Sequence, residues 1–291
     1  MKKVAVVTGS NKGLGFAIVK ELCKKFDGMV YLTSRDETRG RDAIEKLNNL
    51  ELYPEYHQLD VSDKHSIEIF KNHLKETHGG IDILVNNAAI VEAAAITPCT
   101  YEEAKEVIDN NYKSILEIEA LIYPLIRENG RILNISSNCG LLANLCNKHW
   151  IKRLSDQNLS VKDVNEFVNW FLQSKRDGSF KVEDFVDNAT VAAYRVAKIA
   201  ISAVTMIQQK NLDSRNISIN SLHPGLVRTD MTKGSGFLNP DEAAETPLYL
   251  ILEAPQNLKG AFVWHDKEII DWYNIDSDRY FELKSLLGNL P

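Results

Sequence analysis

The feature that most constrains the fold is a glycine-rich turn near the start of the chain. Residues 4–7 form a short apolar run rich in β-branched residues, which is typical of a buried parallel strand. The turn at 9–15 follows, and 16–26 has the pattern of an amphipathic helix. In such a unit, glycines let the backbone approach a pyrophosphate at the helix N-terminus. The spacing Gly-x3-Gly-x-Gly is neither GxGxxG nor a P-loop, so a tight turn without a ligand is the alternative.

Strand and helix patterns then alternate along the chain. Strands are predicted at 29–33, 56–59, 81–85 and 131–135, and helices at 36–50, 62–78 and 101–125. This rhythm predicts an α/β fold: a Rossmann-type, doubly wound parallel sheet with helices on both faces. We expect a single domain over residues 1–291. Ligands bind at the carboxyl ends of such strands, where the turn, Arg35, Asp60 and Asn87 all fall.

The residues after the second strand bear on cofactor choice. In a dinucleotide-binding fold, this position meets the adenosine ribose. Arg35 is the first charged residue, and Arg39 follows one turn later. Two guanidinium groups suit a 2′-phosphate and therefore favour NADPH. Asp36 would favour NAD if its carboxylate pointed inward, and Arg39 could simply lie on a solvated helix face.

Residues 190–209 contain no Gly or Pro and are predicted to form one helix. Tyr194 and Lys198 lie one turn apart on the same face of it. A nearby cation favours the phenolate and lowers the phenol pKa from its usual value of about 10. Such a tyrosine can exchange a proton with a substrate oxygen, although the same spacing also arises by chance.

Two further positions carry polar side chains that matter for this hypothesis. Ser137 follows the strand at 131–135, so its hydroxyl lies at the same end of the sheet as the glycine turn. It could hydrogen-bond a carbonyl oxygen beside Tyr194, or merely cap the strand end. Asn110 and Asn111 lie in the middle of the predicted helix at 101–125, and because Asn is a poor helix former they indicate a local irregularity.

Charge and cysteine content exclude several classes of protein. The formal net charge of -6 and the absence of a long basic run argue against nucleic acid or an anionic membrane as partner. Four cysteines without a CxxC pair do not form a disulfide framework, which fits a reducing, cytoplasmic location. No run has membrane-spanning length, the early strand leaves no room for a signal peptide, and no metal site is predicted.

The sequence resembles the short-chain dehydrogenase/reductase family. Its classical members show Thr-Gly-x3-Gly-x-Gly, Asn-Asn-Ala-Gly, an active-site Asn, a Ser and Tyr-x3-Lys in this order, as found here. Within the family, the chain is most similar to the monomeric NADPH-dependent carbonyl reductases over nearly its whole length. The segments that carry this closer resemblance are 8–15, 32–36, 57–60, 131–137, 194–198, 224–231 and 244–249.

The resemblance implies roles for individual residues. Tyr194 would be the general acid, and Ser137 would orient the carbonyl. Lys198 would lower the Tyr194 pKa and hold the nicotinamide ribose, and Asn111 would complete a water-linked proton path. The implied NADPH-binding residues are Gly9, Asn11, Lys12, Gly13, Leu14, Gly15, Arg35, Arg39, Asp60, Val61, Asn87, Tyr194, Lys198, Pro224, Gly225, Val227 and Thr229.

Two departures from the family pattern need an explanation. Ala89 replaces the last Gly of Asn-Asn-Ala-Gly, and we expect it to be tolerated because its φ can stay negative. An extra segment at about 141–188 separates Ser137 from Tyr194, as in the carbonyl-reductase branch. It contains a predicted helix at 161–173, capped by Ser160. Packed near the catalytic helix, this helical insertion would cover a surface that oligomeric relatives use, which predicts a monomer.

The sequence thus predicts an NADPH-dependent reductase of a small-molecule aldehyde or ketone. Alternatives are a non-catalytic NADP(H)-binding regulatory protein, and an alcohol or hydroxysteroid dehydrogenase or isomerase on the same scaffold. We expect Leu141 and Leu226 to line the substrate pocket beside Ser137 and Tyr194. Core or structural roles are expected for three further residues: Trp264, His223 and Cys139.

Overall fold

A central sheet organises the chain. The computed structural model describes residues 2–92 and 99–275. In that part of the chain, eight strands are ordered β3-β2-β1-β4-β5-β6-β7-β8, and every neighbouring pair is parallel except β7 and β8. The strands are β1 (Lys3–Val7), β2 (Gly28–Ser34), β3 (Glu55–Gln58), β4 (Ile81–Asn86), β5 (Ile126–Ile135), β6 (Ser218–Leu222), β7 (Phe262–Val263) and β8 (Ile269–Ile270).

Helices cover both faces of this sheet. They are α1 (Gly13–Lys25), α2 (Glu37–Asn48), α3 (Lys64–His78), α4 (Tyr101–Ile108), α5 (Ser114–Leu121), α6 (Lys148–Leu154), α7 (Val161–Asp177), α8 (Ala192–Leu212), α9 (Pro240–Ala243) and α10 (Glu245–Leu248). One face packs on α1, α2, α9 and α10, and the other on α3, α4, α5 and α8. The predicted doubly wound sheet is therefore confirmed.

Strand β1 shows why the sheet needs two layers of helices. Ala5 and Val7 belong to the apolar cluster that contains α1, whereas Val4 and Val6 belong to the cluster that contains α3. All four side chains are buried, because alternate residues of a strand point to opposite faces. The chain leaves β1 toward β2 and β3 and returns on the other side at β4. This change of direction opens a crevice at the carboxyl ends of β1 and β4, where such folds bind ligands.

The helix predicted at 101–125 is interrupted where the two asparagines suggested. A π-helical turn, Asp109–Lys113, lies between α4 and α5. The Asn111 side chain binds the backbone of Ile90 twice: its Oδ1 accepts from the amide at 2.8 Å, and its Nδ2 donates to the carbonyl at 2.7 Å. The π-helical turn thus points the side-chain amide of Asn111 at the segment that follows β4.

The extra segment before α8 folds as the predicted helical insertion. Ser160 caps α7 together with Asp163. The apolar stripe of α7 is buried and joins the core beneath α4 and α8; it consists of Val164, Phe167, Val168, Phe171 and Leu172. The insertion therefore packs on α8.

Smaller differences concern element ends. The helix predicted at 190–209 begins only at Ala192, because Val191 has a left-handed backbone with φ of 46°. Strand β6 was not predicted from the sequence.

No helix in the two described ranges is long and apolar enough to cross a membrane.

Candidate active site

The glycine turn provides a cradle for an anionic group. Gly9 and Gly13 both have φ of 59°, which favours glycine. A Cβ on Gly15 would lie 2.4 Å from Asn87 Nδ2 and 2.8 Å from the Ser10 Cα, so no side chain fits there. No side chain caps the N-terminus of α1. Its first backbone N–H groups are therefore available to a pyrophosphate.

Thr8 and Asn87 join the diverging ends of β1 and β4. The Thr8 hydroxyl accepts hydrogen bonds from the Asn87 and Ala88 amides, both at 3.0 Å. The Asn87 side chain donates to the carbonyls of Thr8 and Gly9, at 2.9 and 3.0 Å. These bonds fix the turn against the end of β4. The neighbouring Ala89 is not among the residues with positive φ, so the expectation that it replaces glycine without strain is confirmed.

The residues after β2 resolve the competition between Asp36 and the arginines. Asp36 Oδ1 accepts from the Arg39 amide at 2.9 Å and caps α2, and its Oδ2 lies 3.8 Å from Arg39 Nε. This carboxylate is therefore turned toward α2. Arg35 and Arg39 are exposed beside the crevice, as a 2′-phosphate would require.

The remaining predicted cofactor residues lie in or next to the segments that follow β1, β3 and β6. Asp60 accepts from the amide and hydroxyl of Ser62, at 2.9 and 2.6 Å, and holds the loop after β3. A Cβ on Gly13 would lie 3.3 Å from Thr229 Cγ2, which shows that the glycine turn touches the loop after β6. Lys12 and Asp230 pair at 2.8 Å across these two loops. The other members of this set are Asn11, Leu14, Val61, Pro224, Gly225 and Val227.

The three predicted catalytic side chains meet between β5 and α8. Tyr194 lies in the first turn of α8, and Lys198 lies one turn later, with its Nζ 5.4 Å from the Tyr194 ring centre. Ser137 follows β5 and is buried; it hydrogen-bonds Tyr194, which favours the phenolate. Its hydroxyl also accepts from the Cys139 amide at 3.2 Å. Ser137 therefore both caps the strand end and reaches the phenol.

The pKa of Tyr194 is shifted in the opposite direction to the one predicted from the nearby Lys198. Burial raises the pKa of Tyr194 above its usual range, and the nearby Cys139 adds to this. Burial also lowers the pKa of Lys198 to about 7. The Lys198 ammonium donates to the Ile135 carbonyl at 2.5 Å. Desolvation is therefore the largest influence on the pKa of Tyr194, and the phenol stays protonated at neutral pH.

The other predicted side chains occupy distinct environments. Asn111 is held by Ile90, as described above. Leu226 is half-buried beside the apolar cluster of α8, whereas Leu141 is completely buried and offers no exposed face. Cys139 is partly exposed and lies close enough to Tyr194 and Lys198 to influence the pKa of both.

His223 and Trp264 support the site from behind. The His223 Nδ1 accepts from the Asn138 amide at 2.9 Å, next to Ser137. Its ring centre lies 4.2 Å from that of Trp264, which is 2% exposed and belongs to the core. Burial lowers the pKa of His223 to about 3, so the ring is neutral at pH 7. The structural role expected for both residues is confirmed.

Two charged residues near Tyr194 were not predicted from the sequence as part of the site. Glu92 is buried, and its Oε1 accepts from the Ala193 amide at 2.8 Å and the Tyr194 amide at 3.4 Å. Arg195 is also buried and donates to the Thr190 carbonyl at 2.7 Å and to Asn144 of the insertion. The lone charge of Glu92 within the apolar run at 90–96 was the available signal.

Comparison with known proteins now identifies the class. The sequence profile of short chain dehydrogenases matches residues 3–149. Carbonyl reductase (NADPH) 1 of Bos taurus is 34% identical over 279 residues, which cover 92% of this chain and 98% of the relative. The chain therefore belongs to the short-chain dehydrogenase/reductase family.

Two solved structures of reductases are also similar to this chain. The structure of salutaridine reductase from Papaver somniferum matches with a TM-score of 0.81 and 29% identity, over 91% of this chain and all of that one. Menthone neomenthol reductase from Mentha piperita matches with a TM-score of 0.76 and 30% identity, over 91% of this chain and 99% of that one. The chain is thus similar to several reductases along nearly its whole length.

The buried neutral His223 predicts a pH-dependent stability. Because its pKa falls from about 6.5 in the unfolded chain to about 3 in the folded protein, its contribution is complete above pH 6.5 and lost as the pH falls toward 3. In His223→Asn, the amide oxygen can still accept from Asn138 and does not titrate. The stability gap between wild type and variant should shrink by about 1–2 kcal/mol from pH 7.5 to 5.

Urea unfolding followed by tryptophan fluorescence measures this gap. His65→Asn, at an exposed position on α3, is the matched control and should leave a gap that varies little with pH. A gap for His223→Asn that stays constant would contradict the assignment of a buried neutral ring.

Proposed function

We infer that this chain is an NADPH-dependent carbonyl reductase. The observation that carries this inference is the group formed by buried Ser137 and Lys198 with partly buried Tyr194, placed at the carboxyl ends of the strands beside a glycine-lined crevice. The carbonyl reductase (NADPH) 1 relative, similar over almost its whole length, supports the same reaction. A protein that only bound the cofactor would need neither the acid nor its buried partners.

The residues divide the chemistry of reduction between them. NADPH, when bound, supplies the hydride that reduces the carbonyl carbon. Tyr194 donates its proton to the carbonyl oxygen, and the Ser137 hydroxyl hydrogen-bonds the same oxygen. The raised pKa of Tyr194 keeps the phenol protonated, as the acid in reduction must be. Lys198 would hold the nicotinamide ribose, and Asn111 would complete the path that returns a proton to Tyr194.

The crevice accounts for the choice of NADPH. The Gly9–Gly15 turn and the N-terminus of α1 receive the pyrophosphate, and Asp60 and Val61 flank the adenine. Arg35 and Arg39 bind the 2′-phosphate, while Asp36 is engaged in capping α2. The loop after β6, with Pro224, Gly225, Val227 and Thr229, closes the nicotinamide side. The carbonyl substrate enters beside Leu226.

The insertion and the cysteines support a monomeric, cytoplasmic enzyme. Helix α7 packs along α8 and occupies the face on which a partner subunit would lie. Cys23, Cys99, Cys139 and Cys146 are all free thiols, which suits a reducing compartment.

Replacing the acid tests the reaction. Tyr194→Phe removes the proton donor and should lower kcat for aldehydes, ketones and quinones about 10²–10⁴-fold, while the Kd for NADPH changes little. NADPH oxidation followed by absorbance and cofactor binding followed by fluorescence measure the two effects. Tyr123→Phe removes a buried hydroxyl elsewhere and is the control. Retained turnover in Tyr194→Phe would refute the assignment.

Replacing the first arginine tests cofactor choice. Arg35→Ala should weaken NADPH binding about 10–100-fold, because a charged hydrogen bond is worth about 1.5–3 kcal/mol, and should leave NADH binding nearly unchanged. Titration calorimetry with both cofactors measures this. Arg41→Ala, on helix α2 shortly after Arg35 and paired with Glu37, is the matched control. Equal losses for the two cofactors would contradict the proposal.

The mass in solution tests the oligomeric state. A monomer should sediment with a mass near 32.9 kDa, with no dependence on protein concentration in the micromolar range. A mass near twice this value would show that the insertion does not prevent association.

A further inference from the structure

Glu92 places a carboxylate from another segment at the start of the catalytic helix. It lies beyond β4 and is only 5% exposed. Its Oε1 accepts from the amides of Ala193 and Tyr194, two of the N–H groups that a helix leaves unsatisfied in its first turn. Val191, the residue before α8, has a left-handed backbone and provides no side-chain cap. Glu92 therefore supplies the cap that the helix itself lacks.

The second oxygen of this carboxylate is buried and unpaired. Among the residues that the structure describes, Glu92 Oε2 has no hydrogen-bond partner. A buried carboxylate oxygen without a partner is costly to maintain, and burial accordingly raises the pKa of Glu92. Its bonds to the two amides and the nearby Arg195 act in the opposite direction and favour the charged form.

The negative charge of Glu92 acts on the Tyr194 phenol. Lys198 on the same helix lies against the phenol ring, and Cys139 and Ser137 after β5 and Glu92 after β4 influence the pKa of the phenol. Burial, Cys139 and Glu92 raise the pKa of Tyr194, and Ser137 lowers it. Cys99, which also lies near Glu92, has its pKa raised by burial and by the same carboxylate.

We propose that Glu92 is a positioning residue for proton transfer: its carboxylate fixes the first turn of α8 and keeps the Tyr194 phenol protonated for reduction. It acts through Tyr194 and does not touch the substrate. The cap sets where the phenol lies, because Tyr194 donates its own amide to the carboxylate. The charge adds to burial and to Cys139 in keeping the phenol protonated. This inference rests on Tyr194 being the proton donor, as proposed above.

The experiment compares pH profiles of kcat/KM for NADPH-dependent reduction in wild type, Glu92→Gln and Glu92→Asp. Activity falls as Tyr194 loses its proton at high pH, so this basic limb reports the phenol. Glu92→Gln keeps an oxygen that can accept from Ala193 but removes the charge. Its basic limb should move to lower pH, because the nearby negative charge that raises the pKa of Tyr194 is gone. The acidic limb of the reverse, alcohol-oxidising reaction should move in the same direction.

Glu92→Asp separates charge from shape. It keeps the charge but withdraws the carboxylate by one methylene, so the basic limb should stay near that of wild type while the thermal unfolding midpoint falls. Glu119→Gln, which removes a partly buried carboxylate that accepts from Gln208 further along α8, is the matched control and should leave the limb in place. The Kd for NADPH, measured by fluorescence, should be unchanged in all variants.

The outcomes distinguish this inference from the proposed function. Profiles of Glu92→Gln and wild type that superimpose would overturn the role of the charge, and so would equal shifts in Glu92→Gln and Glu92→Asp. Tyr194→Phe, assayed alongside, tests the underlying assignment separately. If it is inactive while Glu92→Gln has a wild-type profile, only the present inference fails. If it is active, the assignment of the acid fails first.

Discussion

The hydrogen bonds between Thr8 and Asn87 are the interaction on which the site depends. The chain continues from β1 to β2 on one side of the sheet and from β4 to β5 on the other, so a gap opens beyond the last backbone hydrogen bond between β1 and β4, from the Thr8 amide to the Val85 carbonyl. One hydroxyl and one amide close this gap, and they fix the glycine turn and the segment toward Glu92 at the same time. Every other element of the crevice is placed relative to this join.

Within the site, burial rather than pairwise charge decides the protonation states. Tyr194, Lys198 and His223 are all shifted toward their neutral forms, and burial is the largest cause for each. The region between β5 and α8 therefore carries little charge at neutral pH, because the Tyr194 phenol and the His223 imidazole are both neutral. Such an environment strengthens any electrostatic interaction with a polarised carbonyl.

Much of the fold could be predicted because its signals are local. The glycine turn, the β-branched strand at its start and the Ser160 cap each depend on neighbouring residues, and the structure has them where the sequence indicated. Tyr194 and Lys198 share a helix face because of their spacing alone. The reversed pKa shift of Tyr194 could not be predicted, because it depends on desolvation by residues distant in sequence. The cap from Glu92 was missed for the same reason, since Glu92 and Ala193 are 101 residues apart in the sequence.

The orientation of Asp36 likewise required the structure, because a residue at that position can either face a ribose or cap the next helix. Its use as a cap follows from the short connection between β2 and α2, which leaves the carboxylate within reach of the Arg39 amide. The same kind of ambiguity applies to Ser137, which has both of the roles considered for it.

The π-helical turn at Asp109–Lys113 also sets the rotational phase between α4 and α5. A helical residue advances the side chains by about 100°, so the wider turn determines which face α5 presents to the sheet. Removing one residue there would restore a regular helix but would rotate Ser114, Ile115 and Ile118 out of the core they now occupy. The number of residues in this segment is therefore as constrained as their identity. We expect substitutions there to be tolerated better than insertions or deletions.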